Sequence, residues 1–502
     1  MRARPQPWWP ALAVALLAMV AALLTVAAHA ADDLPPPAGL VVVDNAALRA
    51  APRDAAPLLV TLWRGEALQL RSARGDWWQV WDAHRERGGF VRASQVMALP
   101  TGERAVADLA AQLRLVRQQP GAEALGIGLA AAIIERAGAP WLASAAGADM
   151  LDSLVLLQTR LADRVQGTST QQQTAAAHAD VAQRYGFPLA VVARADATHR
   201  LCPNPQAALL LRAHPAAQAP QLARAALSLT RGDCLGADWL PSQRQTVLQQ
   251  HADWLDRIDI AALAPVERNR LLLRRASVWA SLAFARRDGD GQAGGGRTAA
   301  TNAFAAWTQL IPAELTDDDA TALREAAIRL SPQRWALQPA ADSRRVGRIT
   351  LRAERGGPGE SCLVWAADAA AGTARRCSHG QIHLASARPA PDGMTVVLAV
   401  QVLDGWTELW RLDAAGQAQV LPPAADAPGL GAVEWAGWSQ GPAGLQVLVA
   451  RESEAGGRIQ RRFEVYGDRW DQPLRWAGEP GILAAFQRGA DPAWRSMSTI
   501  AR

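Results

Sequence analysis

From residue 40 to residue 98 the apolar residues come in short runs: "GLVVVDNAALRAAP", "PLLVTLWRGEALQL", "GDWWQVWD" and "RGGFVRASQVM". Turn signals break them at Pro52, Arg64-Gly65, Arg74-Gly75 and Arg87-Gly88-Gly89. Runs this short and this regularly punctuated predict the strands of a small barrel or sandwich. Between about 103 and 340 the period changes. Val106, Leu109, Leu113 and Val116 step by three, four and three, which lines one face of a helix. Leu222, Ala225, Ala226 and Leu229 repeat the pattern, as do Leu323, Ala326, Ala327 and Leu330. Thr316 followed by Asp317, Asp318 and Asp319 predicts a helix start, a hydroxyl cap with acids where the helix dipole favours them. From about 345 the period falls to two. "CLVWAAD" (Cys362–Asp368), "ELWRLD" (Glu408–Asp413) and "FEVYGD" (Phe463–Asp468) recur 45 and then 55 residues apart, each after a turn and a strand.

At 502 residues the chain is too long for one core, and the changes of period set the expected domains: 40–98, 103–340 and 345–502. In the first, four landmarks follow in order: Ala47–Pro52, the turn Arg64-Gly65-Glu66-Ala67-Leu68, Gly75-Asp76-Trp77-Trp78-Gln79-Val80, and Gly89-Phe90-Val91. Together they resemble a bacterial SH3 (SH3b) domain. The runs "LARAALSL" and "LREAAIRL" are similar to the second helix of tetratricopeptide-type repeats, without the rest of that signature. The three recurring C-terminal runs resemble β-propeller blades, of which propellers usually have at least four. A fourth is sought in the last thirty residues; otherwise the segment is a partial propeller or a sandwich. The expected fold class is therefore a multidomain α and β protein: a small SH3-like β-barrel, an all-α helical array, then a propeller-like all-β domain.

The first thirty residues bear on compartment. Arg2 and Arg4 precede an apolar stretch from Ala11 to Ala28, and Ala28-His29-Ala30 matches a signal-peptidase site. Residues 1–30 read as a secretory signal peptide and 31–39 as a linker, so the mature protein is expected to be exported and periplasmic. The alternative is an uncleaved anchor, which would be its one tie to the membrane. Of the formal charge of +5, two positive charges are Arg2 and Arg4, leaving +3. That remainder is small and dispersed, which excludes a nucleic-acid reader. All 52 basic residues are arginine.

An even number of cysteines in an oxidising compartment predicts disulfides. Local pairing joins Cys202 to Cys234 and Cys362 to Cys377.

Several motifs invite chemistry. Gly437-Trp438-Ser439-Gln440-Gly441 spells the nucleophile elbow of serine hydrolases, which needs a strand, a tight turn and a helix, then a later histidine. Here a strand-like run follows and no histidine comes after His383, so the motif reads as a blade turn. Cys362, Cys377, His379 and His383 suit tetrahedral zinc by type, but oxidising conditions favour the disulfide. "RDGDGQAGGGR" (Arg287–Arg297) reads as a flexible loop and fails as an EF-hand. The helical segment has six glutamates, at 103, 123, 135, 267, 314 and 325, none followed by serine as lytic-transglycosylase folds usually have. His178, His199, His214 and His251 read as structural or solvated. No metal and no cofactor is expected.

The tryptophans carry what specificity remains. Strand alternation puts Trp77, Gln79 and Trp81 on one face and Trp78 and Val80 on the other. The SH3b resemblance implies a partly exposed Trp77 at a peptide groove, Val80 in the core, and Trp63 and Trp81 as its neighbours; the alternative is that the rings of Trp77, Trp78 and Trp81 all pack the small barrel. It further implies engagement of cell-wall peptide. With no tyrosine in 40–98, the tyrosine-lined polyproline groove of eukaryotic SH3 domains is not expected. The expectation is a non-catalytic cell-envelope scaffold that binds cell-wall peptide or an envelope protein through 40–98. The alternative is a cell-wall-acting enzyme with an unrecognised site in the helical region.

Overall fold

The computed structural model describes residues 39–498, apart from 168, 195–197, 287–294, 339–340, 369–371, 425–428, 443 and 456–457. The expected signal peptide and nearly all of the linker lie outside the described residues, as does most of the loop at 287–297. The chain forms two compact units: residues up to Val191 with Leu201–Ala216, and Val192–Arg200 with the chain from Ala217 on. This division falls elsewhere than the breaks at 98–103 and 340–345 drawn from the change of period. Each unit joins β-structure to helices.

In the first unit seven strands form one sheet: β1 (Gly39–Val41), β2 (Ala46–Arg49), β3 (Leu58–Leu62), β4 (Ala67–Arg74), β5 (Trp77–Asp82), β6 (Arg87–Arg92) and β7 (Val96–Ala98). Their order is β3-β2-β6-β5-β4-β1-β7, with antiparallel neighbours throughout. A core of Val41, Leu48, Leu62, Leu68, Val80 and Val91 fills its inner side, with Trp78 against it. Helices α1 (Ala105–Val116), α2 (Glu123–Arg136), α3 (Ala139–Leu142), α4 (Ala145–Val165), α5 (Ser169–Arg184) and α6 (Pro205–Ala213) complete the unit. Leu109 and Leu113 are buried, as their spacing requires.

The β3–β4 turn meets α2 at backbone contact. Gly65 adopts φ +89°, and a Cβ there would lie 2.5 Å from the Ala124 carbonyl. Only glycine fits both the turn and this approach. Tyr185 donates a hydrogen bond to the Gly65 carbonyl at 2.8 Å.

Two short strands, β8 (Ala190–Ala193) and β9 (His199–Cys202), pair with each other. They correct the all-α expectation for 103–340: "LAVVA" and "HRLC" are too short to show a period of their own.

The second unit contains α7 (Ala219–Leu229), α8 (Pro241–Asp256), α9 (Pro265–Ala285), α10 (Gly295–Trp307), α11 (Ala320–Leu330) and α12 (Gln333–Ala336). Pro220, Pro241 and Pro265 stand in the first turns of three of them, where the missing N–H leaves no bond unmade. "LARAALSL" and "LREAAIRL" are α7 and α11, and Leu272, Ala276, Leu282 and Ala303 lie in the core they share with α9 and α10. The Thr316 hydroxyl binds Asp319, and Arg270 closes over the same carboxylate, so the acidic run is a helix start.

The C-terminal strands form three antiparallel meanders. The first is β10 (Ser343–Val346), β11 (Ile349–Arg355), β12 (Ser361–Ala367) and β13 (Ala374–Ser378). In the second, β14 (Gln381–Ile382) and β15 (Arg388–Pro389) both pair with β16 (Thr395–Leu403), followed by β17 (Trp406–Asp413) and β18 (Ala418–Leu421). The third is β19 (Gly431–Gly441), β20 (Gly444–Ala455), β21 (Arg458–Tyr466) and β22 (Arg475–Ala477). A two-residue parallel link between β17 and β19 makes the second and third one continuous sheet.

Alternation along the strands serves two cores. Val396, Leu398 and Val400 face Leu351, Leu363 and Trp365 of the first meander. Val397 and Leu409 face Val433, Val447 and Val449 of the third. The far side of the third meander is covered by α13 (Ala484–Gly489) and α14 (Pro492–Ser498), through Phe463, Phe486 and Trp494. This corrects two expectations. The domain is not all-β, and the described part of the last thirty residues holds one short strand and two helices in place of a fourth blade.

Cys362 and Cys377 are disulfide-bonded directly across β12 and β13. Cys202 and Cys234 are disulfide-bonded as well, and no cysteine is free. Among the described residues no helix is long and apolar enough to cross a membrane.

Candidate functional site

The outer face of β4–β5–β6 gathers aromatic rings under arginines. Trp77, Gln79 and Trp81 project from β5, and Phe90 of β6 is paired directly with Gln79. Gln79 is held by the Ser72 hydroxyl at 2.9 Å. The Arg92 guanidinium lies 4.5 Å from the centre of the Trp77 ring, Arg71 lies 4.9 Å from Trp81, and Arg74 lies 5.7 Å from Phe90. Each such contact contributes about 0.5–1 kcal/mol at an exposed site.

The three arginines differ in their remaining partners. Arg92 grips the Asp54 carboxylate through two nitrogens and lies 3.8 Å from Asp76. Among the described residues neither Arg71 nor Arg74 has a carboxylate within ion-pair reach, and both are exposed.

Trp77 and Trp81 are therefore brought onto one face, as alternation requires. Trp77 is only 6 % exposed, which corrects the expectation of a partly exposed ring. Arg92, fixed by Asp54, lies over it. Trp81 is half-buried. Trp63, also half-buried, belongs to the β3–β4 turn that abuts α2. The arginines and Phe90 were missed at the sequence level, although arginine and aromatic residues at matching strand positions were there to be read.

Behind this face, buried charge ties the sheet to the helices. Asp44, in the β1–β2 turn, takes a hydrogen bond from Nε2 of the fully buried His178 of α5 at 2.7 Å. Burial pushes the Asp44 carboxyl up, but His178 and Arg64 outweigh it, and its pKa lies below the ordinary value. The other ring nitrogen of His178 faces Arg164, which is ion-paired with the fully buried Glu123. Buried Glu66 accepts from Arg85 at 2.8 and 2.9 Å and from Arg184 of α5 at 3.0 Å. Arg64 donates to the Gly121 carbonyl at 3.1 Å. His178 is thus structural.

The other motifs are absorbed by packing. Gly437–Gly441 lies inside β19 and not in a turn, which corrects the blade-turn reading. Gly437 sits at a bulge against the end of α13, where a Cβ would fall 2.0 Å from the Gly489 carbonyl, and Ser439 is buried. Nothing there has the shape of a nucleophile elbow. The sulfurs of Cys362 and Cys377 lie near Glu360, but as a disulfide they offer no thiolate. His379 is exposed, whereas His383 is buried with its ring 5.1 Å from Trp335. Burial pushes His383 down to about 3.

Comparison with known protein families, with curated proteins and with solved structures returned no match.

Proposed function

We propose that this is an exported, periplasmic, non-catalytic binding and scaffold protein of the cell envelope, whose N-terminal sheet is an SH3b-type barrel that engages wall peptide. The observation that carries the reading is the outer face of β4–β5–β6. Arg71 and Arg74 stand there over Trp81 and Phe90 without a carboxylate partner among the described residues. Wall peptides carry free carboxylates, and a guanidinium above an aromatic ring offers them donors while the ring accepts aliphatic stems. Trp77 serves as the buried floor of the face, and Trp81 as its contact. In this reading the three C-terminal meanders are propeller-like blades, and with the helices they space the module from other partners.

Sedimentation of the full mature chain with insoluble cell-wall material tests the reading. Arg71→Glu with Arg74→Glu should reduce the bound fraction at least about tenfold while leaving the melting temperature near wild type. Equal binding by the double variant removes wall peptide as the ligand of this face. The alternative, a cell-wall-acting enzyme with its site among the helices, is favoured if the same incubation releases soluble muropeptides.

A further inference from the structure

A second surface stands out in α8, independent of the N-terminal sheet. Leu248, Ala252 and Leu255 pack α8 into the helical core, and that periodicity turns Gln245, Gln249 and Asp253 outward in a single line. Together with Trp254, Arg257 and Arg286 they line an open groove of about 720 Å³.

Its chemistry is unusual for the solvent face of a helix. Gln249 is fixed at both ends of its amide: the nitrogen donates to Asp253 Oδ1 at 2.6 Å, and the oxygen accepts from Arg286 at 2.6 Å. Trp254 is half-buried, its ring stacked on buried His251 with centroids 5.7 Å apart and planes inclined by 30°. The platform is therefore rigid, and the polar groups beside it are held in position before any ligand arrives.

These features discriminate between ligand classes. A partner helix needs a row of apolar anchors, and among the described residues lining the groove Trp254 is the only ring. A nucleic-acid backbone needs a cationic track, and here the carboxylate of Asp253 lines the same groove as the two arginines. A sugar ring has an apolar face of C–H groups that stacks on an indole and a rim of hydroxyls that both donate and accept. Carboxamides, a carboxylate and guanidinium groups around one indole match that pattern, and an open trough admits a chain.

We propose that this groove binds a saccharide chain, with Trp254 as the stacking platform and Gln245, Gln249 and Asp253 as the hydrogen-bonding wall. Isothermal titration of the full mature chain with chitotetraose, cellotetraose and maltotetraose tests it. At least one tetrasaccharide should give saturable heat. Trp254→Ala and Gln249→Ala should each weaken it by about tenfold or more. The second variant replaces a surface residue by a strong helix former, so loss of binding there is not loss of fold. No heat with any of the three sugars, or wild-type affinity in both variants, overturns the proposal. Saccharide binding retained in the Arg71→Glu, Arg74→Glu chain separates this groove from the peptide-binding face, so either can fail alone.

Discussion

His178 Nε2 lies 2.7 Å from Asp44 Oδ1, although 134 residues separate them in the chain. The contact joins α5 to the β1–β2 turn, and with the Glu66–Arg184 and Tyr185–Gly65 bonds it ties the sheet to the first helices. A buried imidazole with its partner in place costs little; its removal takes one donor from Asp44, which keeps Arg64, and leaves a cavity beside the Arg164–Glu123 pair. His178→Ala should therefore destabilise the first unit by about 1–3 kcal/mol. It should also make the connection at 98–103 easier for protease to cut than in the wild-type chain. Thermal unfolding with limited proteolysis reads both, and an unaltered melt with an unaltered digest contradicts the expectation.

Trp77 and Trp81 share a face and differ in burial, so truncation separates them. Trp77→Ala removes a ring covered by Arg92, which Asp54 holds in place, and should cost about 3 kcal/mol. Trp81→Ala, at a half-buried position, should cost about 1 kcal/mol. Denaturant unfolding of the two variants gives the comparison, and equal losses would mean that the arginine cover does not exclude water.

Between about pH 6.5 and about pH 4, acid sensitivity should reside in the second unit. Burial, with help from Arg274, pushes His251 down to about 4. An unfolded histidine titrates near 6.5, so between these values the unfolded chain takes up a proton that the folded one refuses. Stability present above about pH 6.5 is therefore lost as pH falls toward 4, by up to about 3 kcal/mol. His383, lower still, adds a loss of the same sign. Urea unfolding at about pH 7 and about pH 5 should show a smaller drop for His251→Gln than for wild type. Identical drops would mean that His251 is hydrated in solution.

The Cys362–Cys377 bridge closes a loop of 15 residues. Chain-entropy arguments give such a bridge about 3 kcal/mol of stabilisation. Replacing both cysteines by alanine should lower the stability of the second unit by up to that amount and leave the β12–β13 ladder in place. Calorimetry measures the loss. Non-reducing peptide mapping should recover Cys362 with Cys377 and Cys202 with Cys234.

Local patterns were legible before any coordinate. Step-of-three-and-four spacing placed Leu109, Leu113, Ala326 and Ala327 on buried faces, and alternation put Trp77 and Val80 on opposite faces of β5, of which Val80 lies in the core. The cross-strand pairing of Cys362 with Cys377 followed from their closeness in the chain. These features are local because periodicity reports which side of one helix or strand meets an apolar neighbour, and a few consecutive residues carry that message. Contacts between elements are decided where the elements land. The cover over Trp77 depends on Arg92 of β6 and on Asp54 in the β2–β3 connection, and neither is implied by "GDWWQVW". The bond from His178 to Asp44, the approach of Gly65 to Ala124 and the helices over the third meander are of the same kind. Charge pairing and close backbone approach leave no period in the sequence, so only the tertiary structure reveals them.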